Sequence, residues 1–117
     1  MPTSSECIFC KIVAGDIPCQ KVYEDEHVIA FHDLYPVAPS HVLVIPKKHV
    51  STLMDFSEED TEQMGRILQG ALQVAKKLGL DEDGFRVVNN MGEYGGQTVY
   101  HVHFHVLGGR HLTWPPG

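Results

Sequence analysis

No apolar run approaches the roughly 20 residues needed to cross a bilayer. The opening Met1-Pro2-Thr3-Ser4-Ser5-Glu6 has neither a basic segment nor an apolar one, so no signal peptide is expected. Basic residues are in the minority, 9 Lys and Arg against 15 Asp and Glu, for a formal charge of -6. That balance argues against a protein that neutralises the phosphates of a nucleic-acid backbone, although a mononucleotide site needs only a few placed donors. Cysteine is scarce and odd in number (Cys7, Cys10, Cys19), with no secreted disulfide framework around it. The expected setting is the reducing cytoplasm, where a Cys-x-x-Cys pair points to metal or redox chemistry before a structural bridge. Repeats, low-complexity segments and linkers are also lacking. The 117 residues, 43% of them hydrophobic, are therefore expected to form one domain, 1–117, around one core. Within it residues 1–6 are expected to be flexible, and 108–117 to form an irregular tail carrying Trp114 and Pro115-Pro116.

What is present is a succession of short elements. Cys7 to Val13 is partly apolar with Gly15 as a stop, which predicts a turn or two of helix. Lys21-Val22-Tyr23 and Val28-Ile29-Ala30-Phe31 flank the polar stretch Glu24 to His27 and predict a hairpin. Pro36-Val37-Ala38-Pro39 reads as a rigid loop, because its prolines fix the backbone and remove donors. His41-Val42-Leu43-Val44-Ile45 is apolar, β-branched and stopped by Pro46, which predicts a buried central strand. The clearest helix is predicted from Glu58 to Leu78. Ser57 suits its N-cap, Glu58, Glu59 and Asp60 the positive end of its dipole, and Gly79 the position just past its end. Met64, Ile67, Leu68, Ala71, Leu72, Ala75 and Leu78 recur at helical spacing, and core packing of that stripe is favoured over a partner-binding role. Strands are expected at Phe85–Asn89 and Val99–Leu107, with a Gly-rich loop from Asn90 to Gln97 between them. Strands, then a helix, then strands predict an α+β domain with an antiparallel sheet.

The segment His101-Val102-His103-Phe104-His105-Val106-Leu107 carries most of the chemistry. On a helix, residues two apart point about 200° away from each other, so alternating histidines would scatter. On a strand they share one face at spacings of roughly 6–7 Å, while Val102, Phe104 and Val106 fill the other. A single such histidine would be an ordinary half-buried one; three in strict alternation point to a shared site, with adventitious chelation as the competing reading. A neutral imidazole is nucleophilic near physiological pH, and its conjugate acid can protonate a leaving group. Gly95-Gly96-Gln97-Thr98, immediately upstream, offers backbone N–H groups and a hydroxyl for phosphate oxygens, although Gly-Gly alone is only a turn signal.

This alternation with apolar spacers resembles the histidine triad motif of the nucleotide hydrolases and transferases. His41-Val42-Leu43-Val44-Ile45-Pro46-Lys47-Lys48-His49 is similar to a second block of that family, and Gly95-Gly96-Gln97-Thr98-Val99-Tyr100 with Gly108-Gly109-Arg110 matches around the triad. The ending Trp114-Pro115-Pro116-Gly117 is similar to the Hint branch, the purine nucleoside phosphoramidases. The match runs from Cys7 to Gly117. It implies an α+β fold with an antiparallel sheet of about five strands, one long helix and a short N-terminal helix, the sheet continuing across a homodimer. It also implies cleavage of P–N bonds in AMP or GMP conjugates through a covalent nucleotidyl-histidine. His103 would be the nucleophile, His105 would bind the phosphate or bridging atom, and His41 would help orient the nucleophile. Thr98 stands where the branch commonly has serine, and its hydroxyl preserves the phosphate contact. The nucleoside pocket carries over as Ile8, Phe9, Phe31, His32, Asp33, Leu34 and Leu43, with Asn90, Gly96, Gln97 and Val99 on the ribose-phosphate side. Asp33 can accept both ribose hydroxyls, and the apolar set can sandwich a purine; for Phe9 and Phe31 ordinary core is nearly as good a reading.

Some histidine triad proteins hold a structural zinc through an N-terminal Cys-x-x-Cys, the histidine after the Pro-Lys-Lys block and the first triad histidine. Here Cys7, Cys10, His49 and His101 stand at those positions, so the resemblance implies a structural zinc and none required for catalysis. The competing readings are reduced thiols in the core, or a redox pair, which the absence of a βαβ context disfavours. Cys19 is assigned no role. Two other functions stay open: a dinucleoside polyphosphate hydrolase of the same superfamily, and a nucleotide-binding regulator or scaffold with incidental catalysis. A nucleotidyl transferase is disfavoured, because that branch follows its histidine pair with glutamine and this chain has His105.

Overall fold

The structure, a computed structural model, describes residues 6–117. The expected flexible segment therefore lies outside the described residues except for Glu6. Helix α1 spans Ile8–Ala14 and ends on Gly15 in the left-handed region (φ 83°). Strands β1 (Lys21–Glu24), β2 (Val28–His32) and β3 (Ser40–Pro46) follow, then α2 (Thr61–Lys77), the single-turn α3 (Leu80–Asp83), β4 (Phe85–Asn89), the short α4 (Gly92–Gly95) and β5 (Phe104–Gly108). The five strands form one antiparallel sheet in the order β1-β2-β3-β5-β4. The expected hairpin and central strand are both in place, and the class is the α+β one the sequence predicts.

Side-chain alternation divides the sheet into two faces. Val28, Ala30, Val42, Val44 and Val106 face α2, where Ile67, Ala71, Val74 and Ala75 complete a fully buried core. Ile29, Phe31, Leu43 and Ile45 face the other way, under Cys7, Phe9 and Ile12 of the N-terminal segment. Each such aliphatic side chain removed from water contributes about 1.5–3 kcal/mol. His41 and its cross-strand neighbours lie on the α1 face, so the chemistry sits opposite the long helix.

Three expectations are corrected. The predicted helix from Glu58 opens as a 3-10 turn (Glu58–Asp60), and α2 starts at Thr61. Ser57 and Asp60 cap each other there, the Ser57 amide donating to Asp60 Oδ2 (2.8 Å), which closes the first turn tightly. The buried stripe of α2 is also rotated from the expected one. Leu68 and Leu72 are exposed, while Gly70 and Val74 are buried. A Cβ at Gly70 would stand 2.8 Å from Val28 Cγ2, so a missing side chain brings helix and sheet into contact. Finally, the last strand begins at Phe104 rather than Val99. Its partners set that limit: Phe104 pairs with Val44 and Asn89, and β4 ends there. The Asn90–Gln97 loop encloses α4. Among the described residues no helix is long and apolar enough to cross a membrane.

Candidate functional site

His101 and His103 lie on the irregular segment before β5, and His105 lies within the strand. The segment is held by contacts other than a ladder. The Val102 amide donates to the Val50 carbonyl (2.7 Å), and Asn89 Nδ2 donates to the carbonyl of His103 (2.9 Å). Val102 is fully buried, as are His101 and, nearly so, His103 and His41. The alternation thus survives without regular strand pairing.

Each ring has its proton assigned by what its nitrogens touch. His103 Nδ1 is 2.8 Å from the carbonyl oxygen of His101, which can only accept, so Nδ1 carries the proton and Nε2 holds a lone pair. The Val37 amide donates to His41 Nδ1 (3.1 Å), so the His41 proton is on Nε2. That Nε2 is 2.8 Å from His105 Nδ1 and 3.4 Å from Asp33 Oδ2. His105 Nδ1 is therefore an acceptor, and its remaining proton is on Nε2. Within this site, one imidazole presents a lone pair and another presents an N–H. The ring partner of His41 is His105.

Burial keeps these rings neutral. It lowers His103, against the opposing pull of its bond to the His101 carbonyl and of Asp33. It lowers His41 too, with Asp33 again opposing. Burial, then repulsion from His103 and His41, takes His105 down to about 4. An uncharged imidazole is the nucleophilic form.

A second cluster adjoins the first. One ligand atom each of Cys7, Cys10, His49 and His101 lie within 4.8 Å of one another. Cys7 Sγ is 3.3 Å from His101 Nδ1, and Cys10 Sγ is 3.2 Å from His49 Nδ1. His101 Nε2 lies 2.8 Å from the Pro46 carbonyl oxygen and carries the ring's proton, which turns the lone pair of Nδ1 toward the sulfurs. Bonds of about 2.3 Å to sulfur and about 2.0 Å to nitrogen at a tetrahedral angle would separate S and N by about 3.5 Å, close to what the side chains already adopt. Burial, the Cys7 hydrogen bond and repulsion from Cys7 push the Cys10 thiol up to about 11, so paired thiolates here need a cation between them. Two thiols and two imidazoles form a donor set that fits a tetrahedral metal ion.

The remaining sequence-predicted residues divide. Phe9 is buried and stands edge-on to Phe31 (5.6 Å) and His103 (5.2 Å), so it is core and site wall at once. Phe31 and Leu43 are buried beneath it, while Ile8, His32 and Leu34 are exposed. Thr98 and Gly96 are exposed on the loop after α4, and Val99 is half-buried. Gln97 is engaged internally: its Nε2 donates to the carbonyls of Ser51 and Val99, and its Oε1 accepts from the Gly92 amide. Asn90 Nδ2 likewise donates to the Gly95 carbonyl (2.7 Å). Sequence reasoning missed Asn89. Its amide holds the backbone of His103, and its buried Oδ1 has no partner among the described residues. The one signal available was an asparagine closing a strand that otherwise favours apolar residues. A cleft of about 770 Å³ between Ser40, Leu78–Leu80, Asp83–Arg86 and Gly109–Leu112 contains none of the triad histidines.

The HIT domain family profile matches residues 14–112. A 14 kDa zinc-binding protein from Zea mays is 50% identical over 97% of this chain and 89% of its own length. The crystal structure of a HIT family hydrolase from Legionella pneumophila Philadelphia 1 superposes with a TM-score of 0.92 at 50% identity, covering 95% of this chain and 99% of that one. A histidine triad nucleotide-binding protein from Candida albicans superposes at 0.80 with 36% identity, over 93% of this chain and 82% of that one. With the triad, the second histidine block and the fold all in agreement, the chain belongs to the HIT domain family.

Proposed function

We infer that this chain, acting as one HIT domain, is a nucleotide hydrolase of the Hint type that cleaves purine nucleoside phosphoramidates. The observation that carries the reading is the fixed tautomer of His103: Nδ1 is committed to the His101 carbonyl, and Nε2 is left as a lone pair beside His105. Nε2 attacks phosphorus, the P–N bond breaks and the amine leaves with a proton taken up from solvent. The nucleotidyl-imidazole so formed is cationic, and its Nδ1–H stays bonded to the carbonyl with Asp33 nearby as counter-charge. Water then displaces the histidine and releases the monophosphate. His105 Nε2–H is a donor for the phosphate or bridging atom, with Thr98 contributing its hydroxyl. Ile8, Phe9, Phe31 and Leu43 are the apolar wall for a purine, His32, Leu34, Asn90, Gly96 and Val99 its rim, and Asp33 the acceptor for ribose hydroxyls. Gln97 serves this site by shaping the loop.

For the second cluster we assign zinc, held by Cys7, Cys10, His49 and His101, a reading that the zinc-binding relative from maize supports. Four protein ligands leave no position for an activated water, so its role is structural, and reduced thiols suit a cytoplasmic protein. The free edge of β4, with Val87 exposed on it and Leu68 and Leu72 exposed on α2, supports a homodimer that continues the sheet. Val87→Lys should then shift sedimentation toward the monomer.

Brief mixing with a purine nucleoside phosphoramidate, acid quench and mass spectrometry test the reaction. An adduct of one nucleoside monophosphate on His103 with release of free amine is expected. Folded protein that binds the nucleotide and yields neither product would move the chain to the regulator class.

A further inference from the structure

The loop from Asp33 to Pro39 has little packing to hold it. Leu34, Tyr35 and Val37 are 84%, 83% and 63% exposed, so burial contributes almost nothing to its position. Hydrogen bonds therefore decide where it sits. At one end the Tyr35 amide donates to Asp33 Oδ1 (2.8 Å) and the Asp33 amide donates to the His41 carbonyl (2.9 Å). In the middle, Val37 is engaged through both backbone groups. Its N–H donates to His41 Nδ1, and its carbonyl accepts from Arg110 Nη2 (2.9 Å). Arg110 lies beyond the triad, just after β5. It reaches the loop because Gly109 has a positive φ (91°) and a bare Cα; a Cβ there would stand 2.8 Å from Pro39 Cβ.

These contacts form one chain of donors: Arg110 to the Val37 carbonyl, the Val37 amide to His41 Nδ1, His41 Nε2–H to His105 Nδ1. Each link constrains the next. A lone pair on His41 Nδ1 requires the proton on Nε2, which requires a lone pair on His105 Nδ1 and leaves the His105 proton on Nε2, where a substrate can meet it. If the Val37 amide moved away, His41 Nδ1 would lose its donor and only the longer contact of Nε2–H to Asp33 Oδ2 (3.4 Å) would oppose the other tautomer, whose Nε2 lone pair would face the His105 Nδ1. His105 would have to reverse its own tautomer or turn.

We propose that Arg110 is a positioning residue for the reaction: by pinning Val37 it fixes the tautomer of His41 and, through it, keeps His105 as an Nε2–H donor toward the substrate. This rests on the phosphoramidase reading for its consequence in catalysis, but the tautomer itself can be read without any substrate. A guanidinium is suited to the task, because it is always charged and holds two carbonyls at once, here Val37 and His111.

The test uses the full chain labelled with 15N-histidine, in which ring nitrogens that carry a proton are distinguished from those that do not by long-range 1H–15N correlation. Wild type should show His41 and His105 each as the single Nε2–H tautomer. Arg110→Gln should give a mixed or reversed signature at both rings, with kcat at least about 10-fold lower and KM within about 3-fold. Arg110→Lys, which keeps one cationic donor, should restore most of both. Val37→Pro removes the amide at the other end of the same link and should reproduce the mixed signature whatever becomes of Arg110→Gln. Unchanged His41 and His105 tautomers in either folded variant would overturn the inference, as would a changed tautomer with undiminished kcat. A wild-type chain that does not turn over phosphoramidate would instead sink the functional reading, leaving the tautomer comparison to decide this one.

Discussion

The chain places two histidine-bearing clusters side by side, and they differ less in composition than in what their rings do with the second nitrogen. In the sulfur cluster His101 has one nitrogen on a carbonyl and the other on the thiols, so both are committed and the site is closed. In the triad cluster His103 commits Nδ1 alone and His105 commits Nδ1 alone, so each retains an Nε2 for something outside the protein. A closed set of donors suits an ion, and a half-open set suits chemistry. The lesson is that histidine count says little until each ring's partners are known.

The largest expected effect breaks the open cluster. His103→Ala should lower turnover by at least about 10⁴-fold while nucleotide affinity, read by calorimetry, changes only a few-fold. Breaking the closed cluster should do the reverse. Cys7→Ala with Cys10→Ala should abolish tight zinc binding. It should also remove about 4 kcal/mol of stability at zinc concentrations about 1,000 times the dissociation constant, with activity per folded molecule far less affected. Denaturant titration with and without zinc checks this, and loss of chemistry without loss of stability would merge the two clusters.

A third measurement sharpens the contrast through pH. His105 is held near 4 when folded, below the value of about 6.5 in an unfolded chain. The unfolded state therefore binds more protons between those limits, so stability contributed by the neutral ring is present above about 6.5 and is lost as pH falls toward 4. The shift corresponds to about 3 kcal/mol at full strength, and solvent screening of this partly exposed ring brings the expectation to about 2 kcal/mol. His105→Gln should lose that much less than wild type across the same window in parallel urea titrations. The smallest effect is at the rim of the closed cluster. Ser51 Oγ lies 3.4 Å from His49 Nε2, so Ser51→Ala should speed zinc release to a chelator by up to about 10-fold and leave turnover unchanged.

Much of this was legible in the residues. The central strand and Phe85–Asn89 follow from local pattern, because β-branched apolar runs between breakers have few alternatives. The histidine alternation points to the candidate site from sequence alone. What escaped were features set by a distant partner. The onset of β5 depends on where β4 stops, which residues 99–103 do not encode. The rotation of α2 depends on Gly70 meeting Val28, a contact between elements far apart in sequence. The bonds of Asn89 and Gln97 escaped for the same reason: which groups an amide side chain meets is settled by the loop around it. The Val37 link involves backbone groups, and every residue has those.

That last point applies with greatest force to His101. Its ring belongs to the sulfur cluster, but the bond that sets the His103 proton is made by its carbonyl. A carbonyl is not encoded by any codon, since all twenty residue types supply one. Replacing His101 can cost the chain its ion without deleting the acceptor that His103 depends on. The most consequential hydrogen bond in the site is thus sheltered from heredity: no single substitution at its accepting end can erase it, and drift can reach it only by moving the backbone.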